Sequence, residues 1–131
     1  MKLRIYGNSI RLRLNRSEVR ALAAGQAVEQ RTELAPEPLT YRIETSGGAD
    51  AISATLAGGQ LRVTVPRLGA RQWAEGDDVA MAHEIPSARG GEPVRLLIEK
   101  DFQCMHGEAE DQADCFPNPR AETPVDAPLS P

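Results

Sequence analysis

Residues 7–30, GNSIRLRLNRSEVRALAAGQAVEQ, align without a gap on residues 58–81, GGQLRVTVPRLGARQWAEGDDVAM, at an offset of 51. Gly7 falls on Gly58, Ile10 on Leu61, Arg11 on Arg62, Leu12 on Val63 and Leu14 on Val65. Further on, Leu22 falls on Trp73, Gly25 on Gly76 and Val28 on Val79. The flanks match as well, KLRI with ISATL and YRIE with RLLIE. A gapless match through strand, helix and strand predicts a β-β-α-β-β unit present twice, in residues 1–46 and 51–100. Neither copy has enough apolar residues for a core of its own, so the two must pack together.

Local chemistry supports each element. SIRLRL alternates strictly, with Ile10, Leu12 and Leu14 on one parity and Arg11 and Arg13 on the other. YGNS before it is a turn candidate, because Gly and Asn tolerate positive φ. NRSEVRALAAG reads as a short helix capped by Asn15, with Glu18 at the capping-box position and Gly25 at the left-handed C′ position. QAVEQRTEL and LTYRIETS read as strands, separated by the prolines of APEP. In the second copy Pro66 starts the helix and Trp73 is its core anchor. The expected fold is mainly β, with two short helices.

With 131 residues the chain suits one domain. Its N-terminus has no continuous apolar stretch of the signal-peptide kind, and no run is long enough to span a membrane. The expectation is therefore a cytoplasmic protein with no membrane partner, whose two cysteines are thiols or ligands. A net charge of −4 argues against a general nucleic-acid coat. Charge is unevenly spread, however. Residues 1–32 carry seven Lys/Arg against two Glu, whereas residues 101–131 carry one Arg against seven acids. Such asymmetry suits a basic binding face and an acidic tail that competes for it.

The unit IYGNSIRLRLNRSEVRALAAGQAVE resembles the swapped-hairpin unit of the AbrB- and MazE-like families, and VTVPRLGARQWAEGDDV resembles its helix and Gly-Asp end. In those families two chains interleave hairpins into one barrel. Two copies in one chain, as in MraZ-like proteins, imply a pseudo-two-fold barrel of the swapped-hairpin, cradle-loop type over residues 1–100. Asn15-Arg16 and Gly25-Gln26 depart from the Pro-Lys and Gly-Asp of that pattern. The whole chain also resembles a small bacterial family that begins KLRI-GNS-RLRL and ends EKDF-C…FPNP, a likeness that implies no activity.

Two groups of residues are candidates for chemistry. If the first two strands form a hairpin, Lys2, Arg4, Arg11 and Arg13 share one face and can grip phosphates. The AbrB-like resemblance implies DNA contact for Arg4, Arg11 and Arg13. The second copy keeps only Arg62, with Ser53, Thr55 and Thr64 in the other places. A solvated edge strand guarded by charge is the plainer alternative. The second group is Cys104, His106 and Cys115 in the acidic segment 101–119, a donor set suited to zinc, copper or nickel, or else two free thiols in an acidic loop. Phe102 and Phe116 are expected to dock that segment on the barrel, and residues 120–131 to be disordered. The glycine pairs at 47–48, 58–59 and 90–91 fall in turns, so no phosphate-cradling loop is present. With no assembled nucleophile and base either, the chain is expected to bind rather than to catalyse. Its expected partners are DNA or another acidic partner, including its own acidic C-terminal segment. A metal-binding or metal-accessory protein and a protein-partner scaffold remain the alternatives.

Overall fold

The computed structural model describes residues 1–101. The chain runs β1 (Lys2–Tyr6), β2 (Ser9–Leu14), α1 (Arg16–Ala23), β3 (Val28–Thr32), β4 (Leu39–Ser46), β5 (Ser53–Ala57), β6 (Gln60–Pro66), α2 (Arg67–Glu75), β7 (Ala80–Ile85) and β8 (Val94–Lys100). The order β-β-α-β-β therefore occurs twice, and the protein is mainly β with two short helices.

The hairpins exchange partners between the copies. Sheet A has the order β1-β2-β8-β7, and sheet B has β3-β4-β6-β5. Each sheet joins the first hairpin of one copy to the last hairpin of the other through a central parallel pair. Leu12 lies beside Ile98 in sheet A, and Ile43 beside Val63 in sheet B. The two sheets do not close into the expected barrel. Each keeps two edge strands, β1 and β7 in sheet A and β3 and β5 in sheet B. Lys2 and Arg4 on the β1 edge discourage pairing with another chain.

Equivalent positions of both copies build the core. Leu12, Leu14, Leu22 and Ile43 are buried, and so are Val63, Val65, Trp73 and Ile98 in their counterpart positions. Removing these side chains from water supplies the main drive to fold, and neither copy supplies enough alone. Leu3 and Ile10 are half-buried, but Ile5, on the same parity as Leu3, is 60% exposed at the turn end of its hairpin.

The helix ends differ between the copies. Asn15 forms the expected capping box, accepting from the Glu18 amide at 2.9 Å while its own amide donates to the Glu18 carboxylate at 3.0 Å. Gly25 takes φ +89°, and the Gln26 amide donates back to the Ala21 carbonyl at 2.9 Å, closing α1. Pro66 caps α2 with no side-chain bond, and Gly76 is not left-handed, with φ −96°. Instead the buried Lys100 ammonium donates to the Gly76 carbonyl at 3.0 Å and lies 5.6 Å from the centre of the Trp73 ring. A cation at the carboxyl end of α2 complements its dipole, so the left-handed turn is not needed there. Neither α1 nor α2 is long and apolar enough to cross a membrane.

Candidate anion-binding surfaces

The β1-β2 register sets Lys2 opposite Arg13 and Arg4 opposite Arg11, so the expected cluster of four cations forms on the outer face of sheet A. Like charges in directly opposed cross-strand positions repel. Strand β8 relieves that repulsion. Glu99 accepts from Arg13 Nε at 2.8 Å and lies 3.5 Å from Arg11 Nε. Lys2 Nζ lies 3.1 Å from Asp101. Arg4 makes no ion pair among the described residues.

Sheet B repeats the arrangement. Glu44, the counterpart of Glu99, accepts from Arg42 Nε at 2.6 Å and lies 3.9 Å from Arg62, the counterpart of Arg11. Arg42 also meets Glu29 at 3.2 Å. Its hydrogen bonds to Glu44 and then Glu29 push the already high pKa of Arg42 further up. Arg11, Arg13 and Arg62 thus meet a glutamate contributed by the other copy across the central parallel pair, whereas Arg42 meets glutamates of its own copy.

The two outer faces are not equal. Sheet A carries Lys2, Arg4, Arg11, Arg13 and Arg95 against Glu84 and Glu99 within its paired rows. In sheet B, Arg31, Arg42 and Arg62 meet Glu29, Glu33 and Glu44 in ion pairs. Arg95 joins the basic face from the other end of the chain and was not foreseen from the sequence. The face also has a concavity of about 520 Å³ around Arg11, Leu97 and Arg95.

A second basic surface lies between the helices. Arg20, Arg67, Arg71 and Glu75 line a groove of about 670 Å³ with the small residues Ala23 to Gly25. Arg71 sits one turn beyond Arg67 on α2, and Arg20 faces them from α1. All three are exposed, and none has an ion pair among the described residues. The Arg67 guanidinium lies over the β4-β5 turn, where a Cβ on Gly47 would be 3.3 Å from its Nη1. The internal repeat held a signal for this groove. At the offset of 51, Arg16 falls on Arg67 and Arg20 on Arg71. These are identities at exposed sites, where no core packing requires an arginine.

Cys104, His106 and Cys115, the expected ligands of zinc, copper or nickel, lie outside the described residues, together with the rest of residues 102–131. Among the described residues no group of His, Cys, Asp and Glu could hold a metal ion. His83 lies on β7, in register with Leu96.

No curated protein and no solved structure matches the chain. One family model does, over residues 1–120, and the chain belongs to that family, described as a family of unknown function, DUF7009.

Proposed function

We propose that the protein binds a polyanion, with nucleic acid as the expected class, and that it performs no chemistry on it. One observation carries this proposal: both copies keep arginines at equivalent exposed positions of α1 and α2, and Arg20, Arg67 and Arg71 line one groove with a single carboxylate among the described residues, Glu75, with which none of them forms an ion pair. Three arginines lining one groove raise its local potential and attract phosphates. Each guanidinium presents a planar fork of donors that matches a phosphate. The carboxyl end of α1 also attracts cations through its dipole, which accounts for one arginine beside it but not for three.

The outer face of sheet A is the second contact surface, through Lys2, Arg4, Arg11 and Arg13. Its charge is partly cancelled, since Glu99 and Asp101 hold three of the four. The cations are 38–60% exposed while the carboxylates are largely buried, so a phosphate can reach these cations from solvent in competition with Glu99 and Asp101. The resemblance to AbrB- and MazE-like units supports nucleic acid over other polyanions, and with it a cytoplasmic site of action. Residues 1–101 carry fourteen Lys/Arg against thirteen Asp/Glu, so the acidity of the chain resides in residues 102–131. That segment is the competitor proposed for the basic surfaces.

Retention on immobilised heparin tests the proposal. The wild-type chain should bind and elute late in a salt gradient, and the variant carrying Arg20→Glu, Arg67→Glu and Arg71→Glu should elute early. Equal elution of the two would remove the groove from the site.

A further inference from the structure

We propose that the concavity on the outer face of sheet A binds a small organic oxyanion: a carboxylate or phosphate monoester on a compact apolar body, held by Arg11 and Arg95. The site is separate from the helix groove, and the proposal does not rest on polyanion binding.

Three adjacent strands form its floor. In one row Ser9 lies beside Arg95, and Arg95 beside Glu84. Two residues along, Arg11 lies beside Leu97, and Leu97 beside Ala82. The row between them contains Leu96, which is 2% exposed and points into the core, so the concavity opens on the outer side. Among the described residues none from sheet B lines it. Its volume of about 520 Å³ falls within the range of small-molecule sites, roughly 300–1,000 Å³.

The two halves of the protein show why the space is open. In sheet B the row equivalent to Arg11, Leu97 and Ala82 is Arg62, Arg42 and Glu29. There the Arg42 guanidinium meets Glu29 at 3.2 Å, and two long, paired side chains cover the surface. Sheet A has the short side chains of Leu97 and Ala82 in those places. At the same time Arg95 stands where sheet B has Thr40, so a cation has been added at the edge of the emptied space. Glu84 lies directly opposite Arg95, yet Arg95 makes no ion pair among the described residues. The long side chains that cover the equivalent place in sheet B have no counterparts here, and beside the space stands a guanidinium that is not ion-paired among the described residues.

The layout also orients the ligand. Ser9 is small and is flanked by Arg11 along its own strand and by Arg95 across the parallel pair. Strand spacings put those two arginines roughly 8 Å apart at Cα, so one oxyanion over Ser9 meets Arg95 directly and meets Arg11 once that side chain turns from Glu99, 3.5 Å from its Nε. Diagonally across, Leu97 and Ala82 offer an apolar surface for the body of the ligand. Glu84 at the remaining corner repels a second anionic group and so favours a ligand charged at one end.

Amide-shift titration by NMR on the full chain tests the site, with benzoate and phenyl phosphate as probes and inorganic phosphate and benzyl alcohol as controls. At least one probe should bind with a millimolar or tighter dissociation constant and shift amides of residues 82–84 and 95–97. Arg95→Thr, which installs the residue of the other copy, should weaken binding about tenfold, as loss of a charge-assisted contact does. The double variant Ala82→Glu, Leu97→Arg rebuilds the ion pair of sheet B over the space and should abolish binding. Its amide spectrum shows directly whether it is folded. The variant Arg20→Glu, Arg71→Glu should bind the probes as the wild type does, which separates this site from the helix groove. Absence of shifts with both probes, undiminished binding in the folded double variant, or inorganic phosphate binding as tightly as the better probe would each overturn the proposal.

Discussion

Arg13 and Glu99, 86 positions apart in the chain, meet at 2.8 Å on the outer face of sheet A. Arg11 shares the same carboxylate at 3.5 Å. Glu99 therefore decides how much of the sheet A charge is free for a ligand. Glu99→Gln removes its charge and keeps most of its shape. Stability should change by no more than about 1 kcal/mol, because the pairs are partly solvated. Affinity for a polyanion at low salt should rise severalfold if Lys2, Arg4, Arg11 and Arg13 contact it. Unchanged affinity in a filter-binding assay would remove that face from the site.

The exchange of hairpins makes the two copies mutually dependent. A cut in the exposed turn at Gly47-Gly48 leaves β1 to β4 on one fragment and β5 to β8 on the other. Each fragment then lacks the parallel partners of its central strands. Fragments 1–47 and 48–131 should be unfolded apart by circular dichroism and should recover the β signal when mixed. A fragment that folds alone as a monomer would contradict the shared core.

Asn15 closes the start of α1 with a capping box that α2 lacks. Asn15→Ala breaks a reciprocal pair of hydrogen bonds and should cost about 1 kcal/mol in urea unfolding. Ser17→Ala, which removes only a long 3.5 Å hydrogen bond from the Ser17 hydroxyl to Asn15 Oδ1 and leaves the capping box in place, should cost distinctly less.

Lys100 closes α2 in place of a left-handed glycine. Lys100→Met keeps the buried stem and deletes the donor to Gly76. A lost charge-assisted bond of this kind is worth about 1.5–3 kcal/mol. Trp73 is the chain's single tryptophan, so its emission reports the change directly. A red shift with the fold retained is expected; an unaltered spectrum and midpoint would show that the contact is incidental.

Much of the fold is legible in the sequence, because the repeat at an offset of 51 matches core position to core position, Leu12 with Val63 and Leu22 with Trp73. Alternation in SIRLRL also sorts Leu12 and Leu14 inward and Arg11 and Arg13 outward. What periodicity cannot give is the partner of a strand. The pairing of β2 with β8 depends on both copies folding together, and it brings Glu99 and Arg95 onto the face of Arg11. Gly76 was expected to repeat Gly25, but Lys100, 24 residues further on, takes its carbonyl instead. Arg67 and Arg71 were visible as the counterparts of Arg16 and Arg20, yet only the packing of α1 on α2 turns them into a groove.

Polyanion binding through the helix groove is tested most directly by fluorescence anisotropy of labelled duplex DNA across a salt series, with the wild-type chain and the variant Arg20→Glu, Arg71→Glu. The wild type should bind, with affinity that falls steeply as salt rises. In the variant, affinity should drop and the salt slope should shrink by about 2, one unit for each lost phosphate contact. No binding by the wild type, or the same affinity and slope in both proteins, would contradict it.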